Sequence, residues 1–300
     1  MKTVDLFAGC GGLSLGLSKS GINIIGAFEN WQPAVDVYQS NFKHPIYSLD
    51  LSNVEDAIKK VSELSPDMIV GGPPCQDFSS AGKRDEKLGR ANLTICFAKI
   101  VLGSNPKWFV MENVDRAVKS KAFQEAKKIL SKNFGLTQII LDASFCGVPQ
   151  KRKRVFLIGK QGEKDNFLEK SLLEGLAKKP LTVKQHLRNK LNTEFYYRHA
   201  RTYSRRGIFS VNEPSPTIRG VNRPIPPNYK IHQGDATSDL SKVRPLSYKE
   251  RALIQTFPSS FQWNIQSKSI LEQIIGNAVP VNLGKYVGTK ICLYEKSLLI

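Results

Sequence analysis

The first 160 residues alternate short apolar runs with amphipathic stretches, and this rhythm constrains the fold more than any other feature. Lys2–Ala8, Ile22–Phe28, Asp67–Val70, Trp108–Met111, Thr137–Leu141 and Val155–Ile158 read as strands. Leu13–Ser18, Val54–Leu64, Ile95–Leu102 and Phe123–Leu130 carry helical spacing. Parallel strands need crossover connections, so strands separated by helices predict an α/β layer with a mostly parallel sheet. From residue 160 to 180 the chain turns charged and reads as a helical segment ending at Pro180. Thr182 to about Trp263 is rich in Arg, Tyr, Pro and Asn, with weak periodicity, and reads as a second, smaller domain. A helical pattern returns at Ser269 and resumes after the turn Gly276-Asn277-Ala278-Val279-Pro280. The expected division is therefore 1–165 with 265–300 as one domain and 166–264 as the other.

At 300 residues the chain is long enough to bury a real core. It carries 44 Lys+Arg against 26 Asp+Glu, a formal charge of +18. Such an excess points to a polyanion partner or to a protein that is merely basic. Five cysteines, Cys10, Cys75, Cys96, Cys146 and Cys292, form no CxxC pair. An odd, scattered set argues against a disulfide scaffold and a zinc ribbon, and fits a reduced cytoplasm with no metal site. No apolar run approaches the roughly 18 residues that span a bilayer. The N-terminus reaches acid and glycine too soon for a signal peptide.

Four segments carry chemistry. In Asp5–Leu17, DLFAGCGGLSLGL, a strand runs into glycines and then a helix, where free N–H groups face a ligand. Alone this indicates a nucleotide-like cofactor, and a dehydrogenase stays open, although Gly9, Gly11 and Gly12 do not meet the GxGxxG spacing. Glu29 ends the next strand, where an acid suits a ribose diol; Asp50 follows the next apolar segment and suits an adenine amino group. In Gly71–Gly82, GGPPCQDFSSAG, Cys75 follows two prolines at the C-terminal edge of a strand, where open α/β sheets bind ligands. It reads as a nucleophile in preference to a structural thiol. In Phe109–Val114, FVMENV, Glu112 reads equally as a buried acid with a raised pKa and as a cap on the next helix. In Gly147–Gly159, GVPQKRKRVFLIG, KRKR reads as a solvated or targeting run, yet Gln150, Arg152 and Arg154 alternate and would share one face toward an anion.

These blocks, in this order, resemble the DNA cytosine-5 methyltransferases of bacterial restriction–modification systems. PPCQ, ENV, QxRxR and GNAVP all match the family's motifs, and only about 165–210 lacks landmarks. The resemblance implies a class I S-adenosylmethionine-dependent methyltransferase (Rossmann-like) sheet with a smaller target-recognition domain. Phe7, Gly9 and Gly11 would shape the cofactor pocket. Glu29 would hold the ribose, Asp50 the adenine amino group, and Pro74, Leu93 and Asn277 would complete the S-adenosylmethionine site. Cys75 would be the nucleophile and Glu112 the acid on the target ring, with Arg152, Arg154 and Ser79 around a flipped cytosine. Pro214–Gly220, PSPTIRG, would brace the recognition region, where Arg198, Arg201, Tyr203, Arg205, Arg206, Arg219 and Arg223 cluster. Arg205, Arg206 and Arg223 flank that block and are the expected base readers, with a guanine in the site. The implied partner is double-stranded DNA, bound by a cytoplasmic monomer with no membrane association, alongside a restriction endonuclease acting on the same site.

Two departures stand out. Asn30 follows Glu29 where the family often has an aromatic, with Trp31 one residue later, and Leu88-Gly89-Arg90 replaces the family's Asp-Pro-Arg. Three rivals fit less well. A dehydrogenase leaves PPCQ, QxRxR and GNAVP unexplained. A silent DNA-binding module has no use for Cys75 and Glu112. A transfer-RNA enzyme on the same scaffold does not call for the arginine-rich region.

Overall fold

Side chains are buried at nearly every position of Lys2–Leu6 (β1), Met68–Gly71 (β4) and Trp108–Val114 (β5), as in strands covered on both faces. The structure, a computed structural model, describes residues 1–74, 92–200, 202 and 205–298. With Asn23–Phe28 (β2), Ile46–Tyr47 (β3), Gly135–Asp142 (β6) and Lys153–Lys160 (β8), these strands form a seven-stranded sheet of order β3-β2-β1-β4-β5-β8-β6. The pairs from β3 to β5 are parallel. The final two pairs run antiparallel, because β8 returns beside β5 and against β6. The mostly parallel α/β fold expected from the sequence is thus present, with an antiparallel flank.

Crossovers are made by Gly12–Ser18 (α1), Gln32–Gln39 (α2), Val54–Glu63 (α3), Leu93–Ser104 (α4) and Lys121–Leu130 (α5). Two apolar layers cover the sheet, one around Phe97, Phe109 and Phe123, the other around Trp108, Phe156 and Val287. The second layer also takes in Leu168 and Leu172, so the core does not break at residue 165. The charged segment expected to be helical from 160 to 180 contains only Glu169–Glu174 (α6). Lys178 and Lys179, with Pro180 after them, supply no apolar stripe to hold a longer helix on the core.

The smaller sheet is made of Phe195–Tyr197 (β9), Ile208–Ser210 (β10) and Val243–Pro245 (β12), in the order β10-β9-β12. A two-stranded patch of Gln150–Lys151 (β7) and Ser215–Pro216 (β11) ties this region to the large sheet. Val183–Leu187 (α7), Tyr248–Ile254 (α8) and Lys268–Asn277 (α9) share a third core with Cys10 and Val37. Val281–Ser297 (α10) then returns to α1. Contact there is so close that a Cβ on Gly12 would run into the Val279 carbonyl, and one on Gly16 into that of Val281. Among the described residues no helix is long and apolar enough to cross a membrane.

Candidate active site

The chain leaves β1 through a tight turn in left-handed backbone. Phe7, Gly9 and Gly11 all have positive φ, at 56°, 54° and 88°. Gly11 caps α1, and a side chain there would meet the Tyr38 and Phe42 rings. Gly11 builds the turn but does not line the cavity beside it. Phe7 and Gly9 do line it, as do Glu29, Asp50, Pro74, Leu93 and Asn277. The cavity measures about 540 Å³ and opens along the C-terminal edge of the parallel strands.

At one end Glu29 is fixed from three sides. Its Oε2 accepts from Gly9 N, and its Oε1 from Asn30 N and Trp31 N, all at 2.9 Å. A carboxylate has about four acceptor positions, so capacity remains for a ligand hydroxyl. Trp31, offset by one residue from the usual aromatic, lines the cavity with Leu49 and Leu51. Asp50 is exposed and accepts from Ser52 N through Oδ1 at 2.9 Å.

At the other end Glu112 sits within β5, which continues to Val114 instead of ending at Met111. Pairing of β5 with β8 puts Arg154 opposite Val114, and Arg154 Nε lies 2.9 Å from Glu112 Oε1. Burial raises the Glu112 pKa, opposed by the positive charges of Arg154 and Arg152. Gly72 leaves the second carboxylate oxygen room: a Cβ there would come within 3.1 Å of Glu112 Oε2. Asn113, a residue to which the sequence reading gave no role, donates from Nδ2 to the Pro73 carbonyl at 3.0 Å. It thereby ties the β5 end to the prolines that precede Cys75. Cys75 and Ser79 lie outside the described residues.

Gln150 and Arg152 depart from the expectation of an anion-facing row. Gln150 is fully buried, donating to Gln255 Oε1 and accepting from Ile218 N. Arg152 is 2% exposed, and its guanidinium donates to the carbonyls of Ile218 (2.9 Å), Gly276 (3.1 Å) and Ala278 (3.1 Å). It borders the cavity as a strut between PSPTIRG and GNAVP, because those carbonyls converge at the break between β7 and β8. Arg152→Ala is expected to destabilise the fold by about 2–4 kcal/mol by leaving buried carbonyls unpaired, read as a lower midpoint in urea unfolding.

The arginines of the smaller region divide into two groups. Arg206 is committed internally: it pairs with Glu213, donates to the Gly234 carbonyl at 3.1 Å and lies 4.2 Å over the Phe209 ring. Arg219 donates to the His199 carbonyl, and Arg198 to that of Thr217 at 3.2 Å. Arg205 and Arg223 are exposed. Burial lowers the His199 pKa, and the nearby charges of Arg223, Arg219 and Arg198 lower it further. Arg201 and Tyr203 lie outside the described residues.

A doubly flanked, mostly parallel sheet with a glycine turn after β1, an acid after β2 and a cavity at its carboxyl edge defines a class I methyltransferase architecture. Matches to known proteins narrow that class. The model of the C-5 cytosine-specific DNA methylase family matches residues 1–292, so the chain belongs to that family and is an enzyme of the DNA cytosine-5 methyltransferase type. It is 57% identical to the Type II methyltransferase M.HindV of Haemophilus influenzae, over 99% of this chain and 98% of that one. It is 56% identical to the Type II methyltransferase M.HgiDI of Herpetosiphon aurantiacus, over 98% and 95% of the two chains. The fold matches a crystal structure of S. pombe Dnmt2 methyltransferase with a TM-score of 0.73, at 16% identity and over 100% and 99% of the chains. A putative prophage DNA modification methyltransferase from E. coli gives 0.70 at 22% identity, over 99% of both chains.

Enzymes of this family use S-adenosylmethionine as methyl donor. The donor set of the cavity fits it. Glu29 and Asp50 present acceptors for a ribose diol and an amino group, and Phe7, Trp31, Leu49 and Leu93 present apolar surface for a purine.

Proposed function

We propose that this cytoplasmic enzyme methylates carbon 5 of one cytosine within a short duplex DNA sequence, as the modification partner of a restriction endonuclease acting on the same site, and acts as a monomer. The observation that carries this reading is that one cavity has the Glu29–Asp50 wall at one end and the buried Glu112–Arg154 pair at the other. The Type II methyltransferase relatives support the restriction–modification setting.

S-adenosylmethionine, when bound, supplies an electrophilic methyl group. The protein's task is to make carbon 5 nucleophilic. The Cys75 thiolate adds to carbon 6, forming a sulfur–carbon bond and shifting electron density toward carbon 5. Glu112 delivers a proton to ring nitrogen 3, which prevents a localised anion, and Arg154 holds the Glu112 carboxyl and adds positive charge beside the ring. Once carbon 5 carries the methyl group, water takes up the carbon 5 proton, the ring double bond reforms as the bond to Cys75 breaks, and nitrogen 3 returns its proton to Glu112. The target base must leave the helical stack, at a cost of a few kcal/mol. Phosphate contacts by basic residues offset that cost. Ser79 belongs beside the flipped nucleotide, and Arg201, Arg205 and Arg223 contact DNA from the smaller, target-recognition domain. Arg206 and Arg219 brace its loops, and Arg152 joins that domain to the cofactor side.

Purified enzyme with tritiated donor is expected to label duplex DNA and leave transfer RNA unlabelled. Bisulfite sequencing of plasmid from expressing cells is expected to map the methyl groups to one short motif with a guanine beside the target cytosine. Label in transfer RNA alone would overturn the DNA reading. Glu29→Ala is expected to weaken donor binding at least about tenfold, from loss of a charged hydrogen bond, while DNA affinity stays within about twofold. Calorimetry with each ligand separates the two effects.

A further inference from the structure

From 214 to 234 the sequence holds no acidic residue. Within this stretch Arg223 and Lys230 are exposed, and so are the apolar Val221 (50%) and Ile231 (46%). Carboxylates from outside the stretch fasten it at two points. At the first, Asn222 Nδ2 donates to Glu272 Oε1 of α9 at 2.8 Å and to the Leu246 carbonyl at 2.7 Å. Glu272 is 2% exposed and pairs with Arg251 of α8, whose guanidinium donates to the Arg219 carbonyl. At the second, Asp235 accepts four hydrogen bonds. Its Oδ1 takes Gly207 N and Ile208 N, both at 3.0 Å, and its Oδ2 takes Tyr229 OH at 2.7 Å and His232 N at 2.8 Å. Four donors fill the acceptor positions of a carboxylate. Between Asn222 and Tyr229 lie only six residues, 223–228, of which Pro224, Pro226 and Pro227 are prolines. Ile225 turns inward onto Tyr197, Ile208 and Val243.

Surface loops are ordinarily the mobile part of a fold. Here prolines fix φ, and a buried ion pair and a saturated carboxylate hold the two ends, so the loop is ordered before any partner arrives. Its seat is also close to the chemistry. A Cβ on Gly220 would come within 3.2 Å of Gln273 Cα, and one on Gly276 would run into the Arg219 backbone. Gly276 itself borders the cavity beside Asn277, so the loop rests on the helix end that forms the cavity wall. A basic loop with outward apolar side chains suits a groove of duplex DNA. Guanidinium and ammonium groups meet phosphates and base acceptors there, and apolar groups meet a thymine methyl. We propose that residues 221–231 form a preset loop that reads base edges, and that Asn222, Glu272 and Asp235 are its positioning residues, which act on site discrimination through the loop. This rests on the DNA methylation proposed above and assigns part of the sequence recognition to this loop.

The test compares a duplex carrying the site mapped by bisulfite sequencing with duplexes in which one base pair of that site is exchanged. The readout is the ratio of kcat/KM between them. Asn222→Ala removes both bonds at the first anchor, and Asp235→Asn replaces one of the oxygens that receive backbone N–H and Tyr229 OH at the second. In each variant the ratio is expected to fall at least about tenfold at one or two positions of the site, the scale of a lost base contact. Donor affinity by calorimetry, and affinity for an unrelated duplex, are expected to stay within about twofold. A merely structural role would lower kcat/KM for every duplex alike and leave the ratio unchanged. That result, or wild-type discrimination in both variants, overturns the proposal. If neither variant folds, the double substitution Pro226→Gly and Pro227→Gly decides, since it keeps both anchors and loosens only the loop between them. The same fall in ratio is expected there, and an unchanged ratio overturns the proposal. Wild type that methylates no duplex DNA refutes the DNA methylation reading itself, a separate failure.

Discussion

Cys75→Ser is expected to reduce methyl transfer at least about 10³-fold while duplex DNA binding stays within about threefold, because a serine hydroxyl is not ionised where a thiol is partly so. The surrounding thiols sharpen this expectation. Cys10 borders the cavity, but burial pushes its thiol up to about 12, and burial does the same to Cys146. At neutral pH a thiol titrating there is ionised in about one part in 10⁵, too little to substitute. Burial raises Cys96 and Cys292 as well. A duplex with fluorine in place of the carbon 5 hydrogen provides a second readout. It blocks the final proton loss, so wild-type enzyme is expected to remain covalently attached through denaturing electrophoresis and Cys75→Ser to run free. Full tritium incorporation by the variant, or an adduct on another cysteine, would contradict the assignment.

Glu112→Gln is expected to lower kcat by about 10²–10⁴-fold, the usual contribution of a positioned acid. Glutamine matches the shape and still reaches Arg154, so a large loss reports the proton and not the packing. The pH profile carries more information than the rate. Glu112 must hold its proton to act, and burial raises its pKa, so the proton is retained further toward neutrality than on an exposed carboxyl. Wild-type kcat/KM is therefore expected to fall on the alkaline side as Glu112 ionises. On the acid side it falls as the Cys75 thiolate takes up a proton, giving a bell. In Glu112→Gln the alkaline limb assigned to the carboxyl should vanish. Retention of that limb at its original position would mean that another group titrates there. Since Arg154 opposes the upward shift, Arg154→Met is expected to move the alkaline limb higher.

Much of the large sheet was legible because local signals and tertiary demand agree. Strands buried on both faces must be continuously apolar, and β4 and β5 announce themselves that way. The acid at Glu29 was legible for a similar reason: it ends a strand at the edge where such sheets bind ligands, and it lines the cavity. The antiparallel return of β8 was not legible, since strand direction is decided by partners distant in sequence. The charged stretch from 160 to 180 misled, because helical composition holds a helix only where a face can be buried, and there it amounts to α6. The smaller sheet, with strands of three residues, is too short to show any period.

The arginines mark the boundary most sharply. Sequence alone determined how many there are and that they gather between residues 152 and 223. It also determined the motif order that places this chain in its family. Only the tertiary structure decided which of them face outward. Arg152 and Arg206, alike in type to the exposed Arg205, are drawn inward because carbonyls and carboxylates from remote segments converge on them. A guanidinium goes where its five donors find acceptors in one plane, and those acceptors are assembled by folding. The same holds for Glu272 and Asp235: in the sequence they are ordinary carboxylates, and they meet Asn222, Gly207 and Ile208 only once α9 and β10 are packed against the loop between them.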